Sequence, residues 1–382
     1  MSHIALLLPD LDAGGAQQVM RTLAGGFVQR GHRVDLLVLR PGGVLQDSIP
    51  PGVGLVDLGA RGSPVRGIAL FVVGSYRLRR WLRIEQPAVL LSTVNGANLL
   101  ASLTVAGSRL PVRLVLREAN ALASVLSPMR RWAMASLYRK AHAIIALSCH
   151  MADELALRLG VSCERIHYIP NPVDAQRIGA LARRPLSVPC LEDPAVSVIL
   201  TAGRLVWEKD HETLLRAFAL LGNERNTCLI ILGDGPLRAP IQALARSLGI
   251  EARVLLAGYD RNPWRWMARA DLFVLSSRCE GSPNALLEAI AIGIPAVTTA
   301  FDTSVIELAR TFGIQVAPVA DPEGLADCID AALGAEAREM RRGHFTVGAT
   351  VDAYLSAMGI RCAEADRTVG STTQASGIRS TS

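Results

Sequence analysis

Short, nearly unbroken apolar runs alternate with longer amphipathic stretches from one end of the chain to the other. "HIALLLP", "RVDLLVL", "AVLLST", "RLVLRE", "AIIALS" and "RIHYIPN" form one series, and "SVILTAG", "CLIILGDG", "RVLLAGY", "LFVLSS", "PAVTT" and "GIQVAP" form a second. Runs of this kind separated by helix-length segments predict parallel strands joined by helical crossovers, an α/β fold. Between the series lies "LARRPLSVPCLEDPA", with three prolines and no periodicity, which reads as a linker. The expected organisation is a Rossmann-like domain over residues 1–180, the linker over 181–195 and a second Rossmann-like domain over 196–345. A last amphipathic helix is expected over 346–360, and the Ser/Thr/Gly-rich 361–382 has too little to bury and is expected to be a disordered tail. Two such domains face each other across a cleft, with ligand at the strand C-termini.

Composition narrows the class. With 382 residues, 50% hydrophobic and 19% charged, the chain is long and apolar enough for two well-buried cores. Seven scattered cysteines without a C-x-x-C pair argue against a zinc knuckle or a disulfide scaffold and read as reduced thiols in a cytoplasmic protein. "MSHIALLLPD" lacks a basic n-region and a cleavage site, so it reads as a strand rather than a signal peptide. The longest apolar stretch is broken by Asn95, Asn98, Arg109 and Pro111, so no transmembrane helix is expected. Net charge is +6, and residues 1–180 carry 20 Lys+Arg against 11 Asp+Glu, so the basic half should meet an anionic partner. At 4% aromatic, with no basic stripe interleaved with aromatics, the chain is a poor nucleic-acid binder.

The segment "CEGSPNALLEA" carries the sharpest chemistry. Ser282 is a good N-cap and Pro283 suits the first helical position, so a helix is expected to start there. Its free N–H groups and dipole, behind a Gly281 that admits close approach, would suit a phosphate. Glu288 then falls inside an apolar helix, where an ionised carboxylate needs a partner. Either ligand hydroxyls or a neighbouring arginine could supply it.

A second piece, "AGRLVWEKDHETLLRAF", puts Arg204 and Lys209 between a strand end at Gly203 and a helix capped by Asp210. Two cations there suit a diphosphate, with a solvated loop as the bland alternative. In "LPDLDAGGAQQVM", Gly14 and Gly15 make a strand-to-helix turn without G-x-G-x-x-G spacing, so a dinucleotide is poorly supported. The pair either forms a tight turn or brings N–H groups to a phosphate or sugar across the cleft. "IPNPVD" and "GDGP" read as constrained loops with little functional signal of their own.

In their order, "GRLVWEKDHETLLRAF", "LIILGDGPLR", "RVLLAGYDRNPWRWMARADLFVLSSRCEGSPNALLEAIAIGIPAV" and "IPNPVD" resemble the retaining family 4 (group 1) glycosyltransferases of the GT-B fold. The E-x7-E spacing of Glu280 and Glu288, followed by Gly293 and Pro295, makes the resemblance specific. It implies sugar transfer from a UDP- or GDP-sugar to a saccharide or polyprenyl-linked acceptor in cell-surface polysaccharide assembly, with no metal cofactor. It also implies that Glu288 holds the ribose hydroxyls and Glu280 the donor sugar. The diphosphate would then lie on Arg204, Lys209, Gly15 and the start of the helix at Gly281, Ser282 and Pro283. Glu280, Arg204 and Lys209 would be catalytic, with Gly14, Gln17, Asn120 and Asn171 on the acceptor side. The chain departs from the family pattern at Gln17 for Glu, at Ala119 for His and in lacking a Gly-rich stretch before Glu307.

Two alternatives come from other classes: a catalytically weak binding component of an assembly system, and a metal-dependent transferase resting on Asp10-Leu11-Asp12. On the surface, Arg77, Arg79, Arg80 and Arg83 surround Trp81, and Arg130, Arg131, Arg139 and Lys140 surround Trp132 and Tyr138. Interfacial attachment at the cytoplasmic face of a membrane and a solvated helix face with Trp packed inward are equally weighted readings.

Overall fold

The computed structural model describes residues 1–12, 14–40, 42–59, 68–108, 110–119, 128–222, 225–334 and 346–360. In the first unit β1 (His3–Leu8), β2 (Arg33–Val38), β3 (Val53–Asp57), β4 (Val89–Thr93), β5 (Arg113–Arg117), β6 (Ala143–Ala146) and β7 (Ile166–Tyr168) form one parallel sheet in the order β3-β2-β1-β4-β5-β6-β7. The crossovers contain α1 (Gly15–Gln29), α2 (Ile68–Glu85), α3 (Asn95–Ala106), α4 (Pro128–Tyr138) and α5 (Cys149–Leu159). The expected strands are all present. β3 is an addition, because its Val-Gly-Leu-Val-Asp sequence makes a partly exposed edge strand with no continuous apolar run.

The chain then passes through α6 (Ala175–Ala182) and α7 (Pro189–Glu192) into a second parallel sheet. Its strands are β8 (Ser197–Ala202), β9 (Thr227–Leu232), β10 (Val254–Gly258), β11 (Leu272–Leu275), β12 (Ala296–Thr299) and β13 (Gln315–Ala317), in the order β10-β9-β8-β11-β12-β13. Between and after them come α8 (His211–Leu220), α9 (Arg238–Ser247), α10 (Trp264–Met267), α11 (Asn284–Ile292), α12 (Thr303–Phe312), α13 (Pro322–Gly334) and α14 (Val347–Ala357).

Both sheets are covered on two faces. One face of the second sheet buries Leu200, Ile230 and Phe273 against Trp264, Leu286 and Ile290. The other buries Ile199, Ile231 and Val274 against Leu214, Phe218 and Leu325. Each fully buried side chain of this size contributes on the order of 2 kcal/mol from removal of apolar surface from water.

The chain crosses between units earlier than the sequence boundary at 180. Val173, Ile178 and Ala182 are buried in the second core. It also crosses back: Val351, Tyr354 and Leu355 of α14 are buried in the first core. Gly26 of α1 permits this return, since a Cβ there would lie 2.4 Å from Val351 Cγ2. Val173 and Thr346, one on each crossing segment, pair as an isolated parallel bridge. The expected tail over 361–382 lies outside the described residues.

Candidate functional site

The strand order reverses beside β8, which has β9 on one side and β11 on the other. Loops leaving β8 and β11 therefore start side by side, the usual place for a ligand on an open parallel sheet. Arg278 N donates to Glu208 O at 2.8 Å, and Ser276 Oγ donates to Lys209 O at 3.0 Å. These bonds bring Lys209 Nζ onto Glu280 Oε1, which also accepts from Ser277 Oγ at 2.7 Å. Lys209 keeps 22% of its side-chain surface exposed and Glu280 11%, so the pair sits at the edge of the cleft rather than in the core. Arg204 is exposed on the same loop, with no ion pair among the described residues.

This loop lies against "GDGP". Leu205 N donates to Asp234 O at 3.0 Å, and Leu237 N donates to Leu205 O at 3.1 Å. Gly233 has φ +135°, and a Cβ on it would lie 1.8 Å from Gly203 O. The turn thus has a defined duty, supporting the cationic loop. Asp210, at φ 46°, caps α8 through Thr213 N at 3.2 Å and also meets Arg278 Nε at 2.9 Å. The Arg278 guanidinium lies 5.3 Å from the ring centre of the exposed Trp207.

The helix expected to begin at Pro283 begins instead at Asn284, and Ser282 does not cap it. The reason is local. Asn284 N already donates to Ser282 O at 2.9 Å, and the serine hydroxyl turns to Asn284 Oδ1 at 3.3 Å. The N–H groups of Ala285 and Leu286 consequently reach no acceptor among the described residues. They point from the positive end of the helix dipole, as an anion site requires.

One turn further on, Glu288 Oε2 accepts from Trp264 Nε1 at 3.0 Å. Burial raises the Glu288 carboxyl to about 7, with the Trp264 hydrogen bond and the nearby Arg177 opposing the rise. No ion pair forms at Glu288 among the described residues, so the bland reading of a direct arginine partner does not hold. Arg177 lies over the Trp264 ring instead, 5.7 Å from its centre.

Across the cleft, Gly14 and Gly15 lead into α1. A Cβ on Gly15 would lie 2.8 Å from Asn284 Nδ2, so the starts of α1 and α11 meet closely through the Asn284 side chain. Gln17 folds back to donate from Nε2 to Asp10 Oδ1 at 2.8 Å, and Asp10 is also paired with Arg40. Asn171 is buried and donates from Nδ2 to Asn284 Oδ1 at 2.7 Å, so it bridges the two units. Asn120 lies outside the described residues. Among the described residues no group of three His, Cys, Asp or Glu side chains could hold a metal ion.

Two family models cover most of the chain: Glycosyltransferase Family 4 matches residues 13–177, and Glycosyl transferases group 1 matches residues 191–343. The chain belongs to the family 4, group 1 glycosyltransferases. Among curated relatives, an undecaprenol-linked 4-alpha-N-acetylgalactosaminyltransferase of Campylobacter jejuni is 34% identical over 175 residues, 45% of each chain. The lipopolysaccharide core biosynthesis glycosyltransferase LpsE of Rhizobium meliloti is 30% identical over 229 residues, covering 58% of this chain and 65% of that one. The chain thus spans less than two thirds of the length of these relatives. HepE from Anabaena, solved with UDP and glucose, shares the fold with a TM-score of 0.73 at 17% identity, over 93% of this chain and 95% of that one. The lipopolysaccharide glycosyltransferase WaaG matches with a TM-score of 0.69 at 18% identity, over 94% and 95%. The expected GT-B fold, two Rossmann-like units about a cleft, is the one observed.

In this group 1 glycosyltransferase, two neighbours of the site were not singled out in the sequence. Asn284 lies inside the quoted E-x7-E segment but has no charge to draw notice. Trp264 comes from 24 residues upstream, and nothing local ties it to Glu288. On the surface the two membrane readings divide by residue. Trp81 packs against His3, with ring centres 5.7 Å apart, and Tyr138 is buried. Trp132 is 74% exposed and Tyr76 68%.

Proposed function

We propose that this chain is a retaining glycosyltransferase that moves a sugar from a UDP- or GDP-sugar to a saccharide or lipid-linked acceptor in cell-surface polysaccharide assembly. One observation carries the reading: the starts of α1 and α11 meet through Asn284, four residues after the Glu280 that pairs with Lys209. Two helix dipoles and two cations supply the positive charge that a departing diphosphate needs, without a metal ion. The donor's bond from anomeric carbon to phosphate oxygen breaks and the nucleoside diphosphate leaves with the electron pair. The acceptor hydroxyl adds on the same face, and its proton passes to a phosphate oxygen of the leaving group.

In this reading Arg204, Lys209 and the N–H groups from Gly281 onward hold the diphosphate. Glu288 accepts from the ribose hydroxyls. Lys209 is neutralised by Glu280 in the free protein; when phosphate draws the ammonium away, Glu280 is released to accept from the donor sugar. The acceptor enters from the side of Gly14 and Gln17. The HepE and Campylobacter proteins support this choice through their names, a UDP and glucose complex in one and a diphospho-undecaprenol acceptor in the other.

The exposed Val72, Tyr76 and Ile84 of α2 and Trp132 of α4, beside Arg80, Arg83 and Arg131, fit attachment to an anionic membrane surface on the cytoplasmic side. No helix among the described residues is long and apolar enough to cross a membrane. The deciding experiment is mass spectrometry of hydrolysis and transfer products from a panel of UDP- and GDP-sugars. A folded protein that consumes none of them, with and without saccharide acceptors, would sink the proposal.

A further inference from the structure

Arg117, at the end of β5, is 1% exposed, yet its hydrogen bonds among the described residues go to neutral oxygens. Nη1 donates to Thr93 Oγ1 at 2.8 Å and Nη2 to Asn171 Oδ1 at 2.6 Å. The next residue after Thr93 is Val94, a β-branched residue at φ 73°, a strained backbone that only surrounding structure can hold. Strain and a buried cation meet at one point beneath the cleft.

The arrangement fixes the direction of every amide that follows. Because Asn171 Oδ1 receives the guanidinium proton, Asn171 can present only Nδ2 to the other unit, and it donates to Asn284 Oδ1 at 2.7 Å. Because Asn284 Oδ1 is occupied, Asn284 Nδ2 must turn the other way, toward Gly15 at the start of α1. The amide therefore lies between the two helix starts. Asn171 also lies two residues before Val173, whose pairing with Thr346 ties the two crossing segments together. The relay therefore runs beside the two segments that cross between the units.

We infer that Asn284 is a further diphosphate-binding residue, and that Arg117 and Asn171 are positioning residues that hold its side-chain N–H toward the start of α1 from the opposite domain. The inference rests on the donor reading above and extends it. It also moves Asn171 from the acceptor side to the donor machinery. An N–H aimed in advance adds a hydrogen bond to charged phosphate oxygens with no reorientation, and the aim holds only while the two units keep this relation.

The test uses the full chain and titration calorimetry with UDP, GDP and the free nucleosides. Asn284→Ala should weaken the better diphosphate roughly tenfold and leave the nucleoside unchanged. Asn171→Asp is the decisive variant: the new carboxylate pairs with Arg117 but cannot donate to Asn284. It should melt at or above the wild-type temperature and still weaken the diphosphate, with no further loss when combined with Asn284→Ala. Wild-type affinity in folded Asn171→Asp, or parallel losses for nucleoside and diphosphate, would overturn the inference. If neither diphosphate binds the wild type, the donor reading fails instead. Hydrogen exchange of residues 281–287 in free Asn171→Ala then tests the relay alone: at least about threefold faster exchange supports it, and an unchanged rate refutes it.

Discussion

The indole N–H of Trp264 donates to Glu288 Oε2 at 3.0 Å, leaving the carboxylate otherwise dependent on what enters the cleft. Burial holds that carboxyl at about 7. Since the folded value is raised, the free protein favours the protonated form, and the stability this contributes is lost as pH rises through about 7. In the proposed donor site, ribose hydroxyls would donate to the ionised form. Nucleoside diphosphate affinity should therefore increase as pH rises through about 7, and Glu288→Gln should flatten that dependence. Titrations at several pH values check this, and a pH-independent wild type would remove the ribose assignment. Glu288→Ala should weaken donor and free nucleotide together by roughly 1.5–3 kcal/mol, whereas Glu280→Ala should lower turnover and spare the nucleotide.

Arg204→Ala with Lys209→Ala should abolish turnover while circular dichroism stays native, because no other cation on that loop replaces them at the leaving group. Transfer should persist in excess EDTA. Asp12→Ala should be nearly silent, and Asp10 is already committed to Arg40 and Gln17. Activity lost to EDTA and restored by manganese would overturn the metal-free mechanism.

His211, the first residue of α8, is 3% exposed with Nδ1 unpartnered. Burial, helped by the Lys209 charge, lowers its imidazole to about 4. The unfolded chain, near 6.5, then binds a proton more readily than the folded one. Stability contributed by this site is present above about 6.5 and lost as pH falls toward 4, on the order of 3 kcal/mol in all. The difference in melting temperature between pH 7 and pH 4.5 should shrink in His211→Gln, and an equal drop in both proteins would count against the assignment.

Gly233→Ala should destabilise by about 3 kcal/mol, since the added methyl meets Gly203 O and the φ of +135° disfavours any side chain. Thermal unfolding checks this. Gly249→Ala is the control: its φ of +69° is also positive, but a Cβ there meets nothing within 4 Å. It should cost clearly less.

Liposome flotation tests the proposed surface. Wild type should bind vesicles containing phosphatidylglycerol at low salt and release as salt rises, with Trp132→Ala and Tyr76→Ala weakening the binding. Binding indifferent to salt and lipid charge would exclude this attachment.

The strand series was legible because a strand buried on both faces of a parallel sheet must be continuously apolar, as in "HIALLLP" and "CLIILGDG". β3 escaped because an edge strand is exempt from that demand. Glu280, Glu288, Arg204 and Lys209 of the proposed site stand out in the sequence because charge at fixed spacing beside glycine and proline is rare in so apolar a chain. The start of α11 was misplaced by one residue, since the Ser282 carbonyl takes the Asn284 N–H first, a choice of local geometry that residue preferences do not reveal.

Residue order along the chain determined two α/β units, their strands and the charged residues proposed for the site, because those follow from hydrophobic period and local spacing. Only tertiary structure decided that α14 returns to the first core, that Trp264 meets Glu288, and that Arg117, Asn171 and Asn284 form one relay across the cleft. Each joins segments far apart in sequence through a neutral or buried group. Such partners carry no periodicity and no charge pattern of their own, so their meeting is fixed by how the two sheets pack and by where the chain crosses between them.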